Sequence, residues 1–506
     1  MLIGEILRLS AARFPDKVAL IDGERALTFS ALDARADAFA AALAANGIVK
    51  GDRIAVLSAN SLDVAAIYFG AARAGVIHAA LSTRSTPHDV AYMIGKIGAV
   101  ALFHSADTAA LVHDVASECP SLRATVSFGG GGFDGFLASG RKHHAADLKP
   151  GDPLAITFTG GTTGRPKGVV VTHAARYATA VTGGVEFGLD ERDLALIATP
   201  MFHAAGLFVW FQTAMMLGLT SVILPRWDAR RAIELIERYR CTATLLVPTQ
   251  LGDLVADPSF SPDRLASLRH MHYAGSPMAL AVLDRAQDLL PQAGFTENYG
   301  QSETGPMTVR RPFHPHEKRG SVGRPAHNVE TRVLGPDGRE CAPDAVGEIA
   351  TRGAHVFSYY WDDPVETKQA FRTGDGWLWT GDLGYRDRDG FVHLVDRVKD
   401  MIVSGAENIY PAEVENALYR HPAVAECAVF GVPDDRWGEV PAAHVVLKPG
   451  AIAREDELIA FVEAQVARYK RPRFVRIVEA LPRTAVGKIQ KSVIREAYWA
   501  GRSRRI

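Results

Sequence analysis

Up to about residue 390, short unbroken apolar runs alternate with longer stretches of helical apolar spacing. Unbroken runs suit strands buried on both faces, and the longer stretches suit helices packed on one side. This alternation predicts a layered α/β architecture. One unit is legible in detail. Ser30 is a candidate N-cap with Asp33 three residues on, and the helix runs through Ala34–Ala45 to a stop at Asn46-Gly47. A strand at Arg53–Ser58 follows, then a helix at Ser61–Ala74 closed by Gly75. Further buried strands are predicted at Leu154–Phe158, Ser221–Leu224 and Thr244–Val247.

From Gly335 to Val395 the pattern changes to short strands punctuated by Gly, Asp and Trp, such as Gly347–Thr351 and Phe391–Val395. Beyond Asp400 a smaller α/β unit begins, with helices near Pro411–Arg420 and Arg454–Ala467. The boundary is expected in the charged stretch Asp396–Asp400, dividing the chain into 1–396 and 397–506. Gly129–Gly132 reads as a surface loop, and no repeat is visible.

Length supports this division, because 506 residues exceed what one compact core holds. The 56 Lys and Arg nearly cancel the 57 Asp and Glu. Such a balance leaves no electrostatic footprint for nucleic acid or an anionic membrane, so an anionic ligand must be held by local groups. Cys119, Cys241, Cys341 and Cys427 are far apart, which argues against zinc and disulfides and for a reducing cytoplasm. Glu5, Arg8 and Arg13 interrupt the N-terminus, so it lacks the apolar run of a signal peptide. Leu194–Pro225 carries no Asp, Glu, Lys or Arg, but Pro200, His203, Gly206, Gln212 and Gly218 break it. A buried helix under a ligand pocket is expected there, not a membrane span.

The densest chemistry lies in Phe158–Gly168 (FTGGTTGRPKG), directly after an apolar run. Glycines let backbone N–H groups approach polyphosphate oxygens, threonine hydroxyls donate hydrogen bonds, and Lys167 supplies charge. It is not a Walker A loop, since Lys167 follows Pro166 and precedes no Ser or Thr.

This segment resembles the phosphate loop of the adenylate-forming superfamily of acyl-CoA synthetases, aryl-CoA ligases and luciferases. Pro200–Gly206 (PMFHAAG), Asn298–Gly305 (NYGQSETG), Trp379–Gly384 (WTGDLG), Asp396–Pro411 (DRVKDMIVSGAENIYP) and Leu481–Lys491 (LPRTAVGKIQK) follow in the superfamily's order. The resemblance spans residues 10 to 495 and implies a large N-terminal α/β domain with a small mobile C-terminal one. It implies ATP and Mg²⁺ bound by Thr159, Gly160, Gly161, Thr162, Thr163, Gly164, Lys167, Gly300 and Ser302, with Glu303 on the metal. A hard carboxylate oxygen suits Mg²⁺. Ala274, Gly275, Ser276, Asn298 and Tyr299 are implied for adenine, and Asp382 and Arg397 for ribose and phosphate.

Lys488 is the implied catalyst of adenylation, beside Thr159, Glu303 and His203. Attack of a carboxylate on the α-phosphorus brings two anions together, and a lysine touching both neutralises the developing charge. Lys399 matches the hinge about which the C-terminal domain turns to present Ser404–Asn408 for thioester formation. His203 is implied as the gate of an acyl pocket lined by Ala204, Ala205, Leu245, Ala274, Asn298, Gly300 and Gly305, which Phe208, Trp210, Phe211 and Tyr273 can shorten. Amino-acid-activating relatives carry Asp at the position of His203, so a fatty or aromatic acid is expected. Arg84, Arg226, Gly405, Trp437, Tyr469, Arg471 and Arg473 sit where coenzyme A ligases hold CoA.

The expected function is therefore an AMP-forming acyl-CoA synthetase that takes a carboxylic acid, ATP and CoA, compatible with a homodimer. Rival expectations are an acyl-AMP ligase loading a carrier protein and a non-catalytic nucleotide-binding relative. Gly160 for the usual Ser, Ala406 for Gly and Tyr359 for Gly depart from the superfamily pattern, and bear on phosphate donors and tunnel fit.

Overall fold

A computed structural model describes residues 1–140, 146–160, 166–405, 407–483 and 489–500. The chain forms two compact units, Met1–Thr331 with Thr351–Leu378, and Arg332–Ala350 with Trp379–Ile506. The second unit thus takes in 332–350 and 379–396, which a cut at 396/397 assigns to the first. The cause lies in strand pairing. Leu378–Arg386 and Val392–Arg397 pair with each other and continue a four-stranded sheet through Gly347–Arg352 to Glu330–Leu334. The Gly-, Asp- and Trp-punctuated segment is that sheet.

The first unit holds a nine-stranded and a seven-stranded sheet with helices packed against them. In the seven-stranded sheet Arg53–Leu57 runs parallel to Ile77–Leu81, which runs parallel to Pro153–Gly160. The helix Leu62–Ala74 begins on Ser61, whose side chain accepts from the Val64 amide at 3.2 Å, and ends at Gly75 with φ +69°. Its neighbour spans Phe29–Ala45 and is capped by Thr28, which accepts from the Ala31 amide at 3.1 Å. Thr28 and not Ser30 is the cap, because the helix already starts at Phe29; Ser30 lies in its first turn and donates to the Pro15 carbonyl at 2.8 Å. The two helices pack closely at Gly70, where an added Cβ would stand 2.5 Å from the Ala36 carbonyl oxygen.

The uncharged stretch after Leu194 is broken as its Pro and Gly residues require. It forms the strand Leu194–Ile197, a π-helical turn Ala205–Phe211, the helix Gln212–Leu217 and the strand Thr220–Ile223. Among the described residues no helix is long and apolar enough to cross a membrane. π-turns are rare and concentrate at functional sites. Here Gly206 permits the chain to double back, since a Cβ would stand 2.2 Å from the Pro200 carbonyl oxygen.

In the second unit the hairpin Val424–Asp434/Gly438–Leu447 belongs to a five-stranded sheet, with Gly438–Leu447 central and Val424–Asp434 at the edge. Alternation with period two serves both faces. Cys427, Val429 and Val445 pack beneath Val414, Leu418 and Leu458, whereas Ala428, Phe430 and Ala442 pack beneath Leu481 and Ile494. The helix read as Arg454–Ala467 is shorter, Glu455–Glu463.

Candidate active site

Four strands of the nine-stranded sheet, Leu194–Ile197, Ala243–Leu246, His270–Ala274 and Gly294–Gln301, run parallel. Their carboxyl ends share one edge, where open α/β sheets bind ligands. That geometry, and not proximity in sequence, gathers His203, Ala204 and Ala205, then Ala274–Ser276, then Asn298–Ser302. Ala274 and Asn298 are register partners. Asn298 is 4% exposed, and neither its amide nitrogen nor its oxygen has a hydrogen-bond partner. A buried unpaired amide is costly, and the edge of a nucleobase would satisfy both atoms. Gly275 has φ +92°, a conformation that leaves the approach beside Ala274 clear of a side chain.

The next turn carries Glu303, which is 9% exposed. Its Oε1 accepts from the Tyr360 hydroxyl at 2.8 Å. Burial first, then the adjacent Glu303, pushes the Tyr360 phenol well above its usual range, so it remains a donor at any working pH. The Lys167 ammonium lies 5.4 Å from the centre of the Tyr360 ring and forms an ion pair with Glu366. A hairpin holds Lys167 here: Pro153–Gly160 pairs with Pro166–Thr172 in a register that sets Thr159 opposite Lys167 and Gly160 opposite Pro166. Gly161, Thr162, Thr163 and Gly164 lie outside the described residues, as does Lys488.

Mg²⁺ is commonly held by one or two carboxylates plus substrate phosphates, and the buried Glu303 carboxylate offers a hard oxygen of that kind. No group of three His, Cys, Asp or Glu side chains able to hold a metal by themselves is found among the described residues. Glu303 is the residue that would hold the ion. Tyr360 and Glu366 escaped the sequence reading because their partners are 57 and 199 residues away.

Around His203 the Ala205 amide donates to Nδ1 at 3.4 Å, and Ala204 and Leu245 are buried. The four aromatic residues expected to shorten the pocket are all buried in the core. Trp210 donates to the Leu196 carbonyl at 3.0 Å, Phe211 packs 5.9 Å from Phe69, and the Tyr273 hydroxyl donates to Glu297 at 3.1 Å. Phe208 packs against Tyr68 and the Arg176 guanidinium, both fully buried. Gly300 and Gly305 close a tight turn, as a Cβ on Gly300 would fall 1.8 Å from the Gly305 carbonyl oxygen.

In the second unit Asp382 and Arg397 are cross-strand partners, with Arg397 Nε 3.3 Å from Asp382 Oδ1. Asp382 is buried and held in line by Thr380, whose hydroxyl accepts from its amide at 3.1 Å. Gly405 (φ +65°) lies against the half-exposed Trp437, and a Cβ there would come within 3.0 Å of the indole. Tyr469 is exposed, Arg471 pairs with Glu463 at 2.7 Å, and the Arg473 amide donates to the Pro441 carbonyl at 2.6 Å. Lys399 is exposed, and its carbonyl accepts from Arg495 Nη1 at 3.2 Å. In the first unit Arg84 follows the strand Ile77–Leu81, and Arg226 forms an ion pair with Asp107. Arg226 and Arg471 thus already have carboxylate partners, so a CoA phosphate would have to compete for them.

The chain is similar to known proteins over most of its length. A family model described as AMP-binding enzyme matches residues 7–361, and one described as AMP-binding enzyme C-terminal domain matches residues 413–488. A feruloyl-CoA synthase of Amycolatopsis sp is 35% identical over 491 residues, covering 96% of each chain. The fatty acid–[acyl-carrier-protein] ligase ScoC of Streptomyces coeruleorubidus is 34% identical, covering 97% of this chain and 95% of that protein. The crystal structure of ATP-bound MatB from Rhodopseudomonas palustris superposes with a TM-score of 0.90 at 29% identity, covering 98% of this chain and 99% of that one. With both parts of its length matched in order, the chain belongs to the AMP-binding enzyme family of adenylate-forming ligases.

Proposed function

We propose that this enzyme joins a carboxylic acid to coenzyme A in two steps. An acid oxygen attacks the α-phosphorus of MgATP, the bond to the β-phosphate oxygen breaks, and acyl-AMP and pyrophosphate form. The CoA thiol, losing its proton, then attacks the acyl carbon and releases AMP. The observation that carries the first step is the convergence of Asn298, with both amide atoms unpaired, and Glu303 at one sheet edge. His203 and small or apolar neighbours at that edge favour an acid without an α-amino group. Mg²⁺, when bound, supplies charge neutralisation at the phosphates, and Glu303 would orient it. Tyr360 orients Glu303 in turn.

The acceptor reading rests on Gly405, Trp437 and Tyr469, where an exposed indole and phenol offer stacking surface for a nucleotide-bearing thiol. The ScoC relative, named for an acyl carrier protein, motivates the rival acceptor. Thioester formation with free CoA, measured against a phosphopantetheinylated carrier protein, separates the two. Lys488→Ala tests the order of steps. Acyl-AMP formation is expected to be abolished while thioester formation from supplied acyl-AMP is largely spared, and equal loss of both would remove Lys488 from its role.

A further inference from the structure

Asn60 joins two sheets at the place where the expected acyl turn begins. It stands between the strand Arg53–Leu57 of the seven-stranded sheet and the helix Leu62–Ala74, and it is 3% exposed. In the nine-stranded sheet the parallel ladder of Leu194–Ile197 with Thr220–Ile223 ends at Ile197 and Ile223. The Asn60 side chain bonds to the chain just beyond that end. Its Nδ2 donates to the carbonyls of Leu224 at 3.0 Å, Thr199 at 3.2 Å and Ile197 at 3.4 Å, and its Oδ1 accepts from the Met201 amide at 2.6 Å. The Asn60 backbone amide donates to the Pro225 carbonyl at 3.1 Å. Three acceptors and one donor so arranged call for an amide, since a carboxylate cannot donate and an aliphatic side chain can do neither.

The bond to Met201 reaches the site. A peptide group is planar, so the Pro200 carbonyl and the Met201 N–H turn together. That carbonyl accepts from the His203 amide at 3.0 Å, and the His203 carbonyl in turn accepts from the Leu207 amide at 3.0 Å. Gly206 packs directly on the Pro200 carbonyl oxygen, where a Cβ would stand 2.2 Å away. Rotating the Pro200–Met201 peptide therefore moves His203, Ala204 and Ala205 together. On its other side Asn60 is tied through Arg53–Leu57 and Ile77–Leu81 to Pro153–Gly160, the strand that carries Thr159 opposite Lys167. We propose that Asn60 is a positioning residue for adenylation, setting the His203 turn, and with it the acid, against the sheet that carries Thr159 and Lys167. Ala274 and Asn298, expected to meet the nucleobase, lie on other strands, to which the Asn60 side chain makes no hydrogen bond among the described residues. The role is thus confined to the acid side of the site. This inference rests on the ligase reading and deepens it.

The test uses the full-length enzyme, pyrophosphate release, and a panel of carboxylic acids graded in length and width. Asn60→Ala removes all four side-chain bonds. A misplacement of about 1 Å can cost on the order of a hundredfold in rate, so kcat/KM for the acid should fall roughly 10- to 100-fold, with a rise in its KM. Preference among the acids should flatten, because the turn no longer holds one shape. AMP, followed by its own binding isotherm, should keep its affinity within about twofold. Asn60→Ser, with one hydroxyl and room for a water, should lie between wild type and alanine, and it carries the test if the alanine variant does not fold. A variant that melts earlier but keeps the wild-type KM and acid preference below its midpoint overturns the proposal, because Asn60 would then only hold the fold together. Equal losses for acid and AMP overturn it too. A wild type that releases no pyrophosphate with any acid defeats the ligase reading itself, and that result is read before any variant is made.

Discussion

Tyr360→Phe isolates one hydrogen bond to the carboxylate expected to orient Mg²⁺. The phenylalanine keeps the ring beneath Lys167 and its packing 4.7 Å from Phe357, and removes the donor 2.8 Å from Glu303 Oε1. Hydrogen bonds to charged groups contribute about 1.5–3 kcal/mol, and here the acceptor is largely shielded from water that could substitute. At about 1.4 kcal/mol per factor of ten, kcat/KM for MgATP should fall roughly 10- to 150-fold. The assay is pyrophosphate release at varied MgATP, alongside thioester formation from supplied acyl-AMP. The second reaction needs no metal-bound triphosphate and should change by less than about twofold. Because the phenol is held far above its ordinary range, Tyr360 should contribute no ionisation to the wild-type profile from about pH 6 to 9. An unchanged first half-reaction, or equal losses in both, would refute the link between Tyr360, Glu303 and the metal.

Three further outcomes are expected. Lys491 pairs with Glu415 at 2.7 Å and also faces the half-buried Asp396, so Lys491→Met should destabilise the protein by about 3 kcal/mol in urea unfolding. Most of that loss should return in Lys491→Met/Glu415→Gln. Burial raises the Asp396 carboxyl above its usual value, with Lys491 opposing. Its cost therefore appears as pH rises through the folded-state pKa, and the Lys491→Met defect should shrink as pH falls; a pH-independent defect would exclude Asp396 from the cluster. Lys399→Pro should impair thioester formation more than adenylation, since a locked backbone resists a hinge rotation, and unchanged thioester formation would remove Lys399 from that role. Arg176→Met should leave the thermal midpoint unchanged or raise it, because a buried cation without an ion-pair partner is replaced by an apolar chain.

The local elements were legible because their signals are local. Ser61 and Gly75 bound their helix in the sequence as in the structure, since a cap needs only neighbours within a turn. Thr28 and Ser30 look equally competent in the sequence, and only the helix start at Phe29 decides for Thr28. The boundary at Asp396–Asp400 followed charge and texture, but compact units follow strand pairing between residues far apart.

The sequence by itself determined the alternation of buried strands and helices, the ordered motifs and the residue types able to hold a nucleotide, because each depends on composition and spacing over a few residues. Only the tertiary structure decided where charges and donors go. It gave the Lys167 charge to Glu366, the Tyr360 hydroxyl to Glu303, and left Arg176 buried behind Gly305 with donors to spare. Such pairings form between groups with no common sequence pattern, and they are set by the cost of burying a charge or donor without a partner.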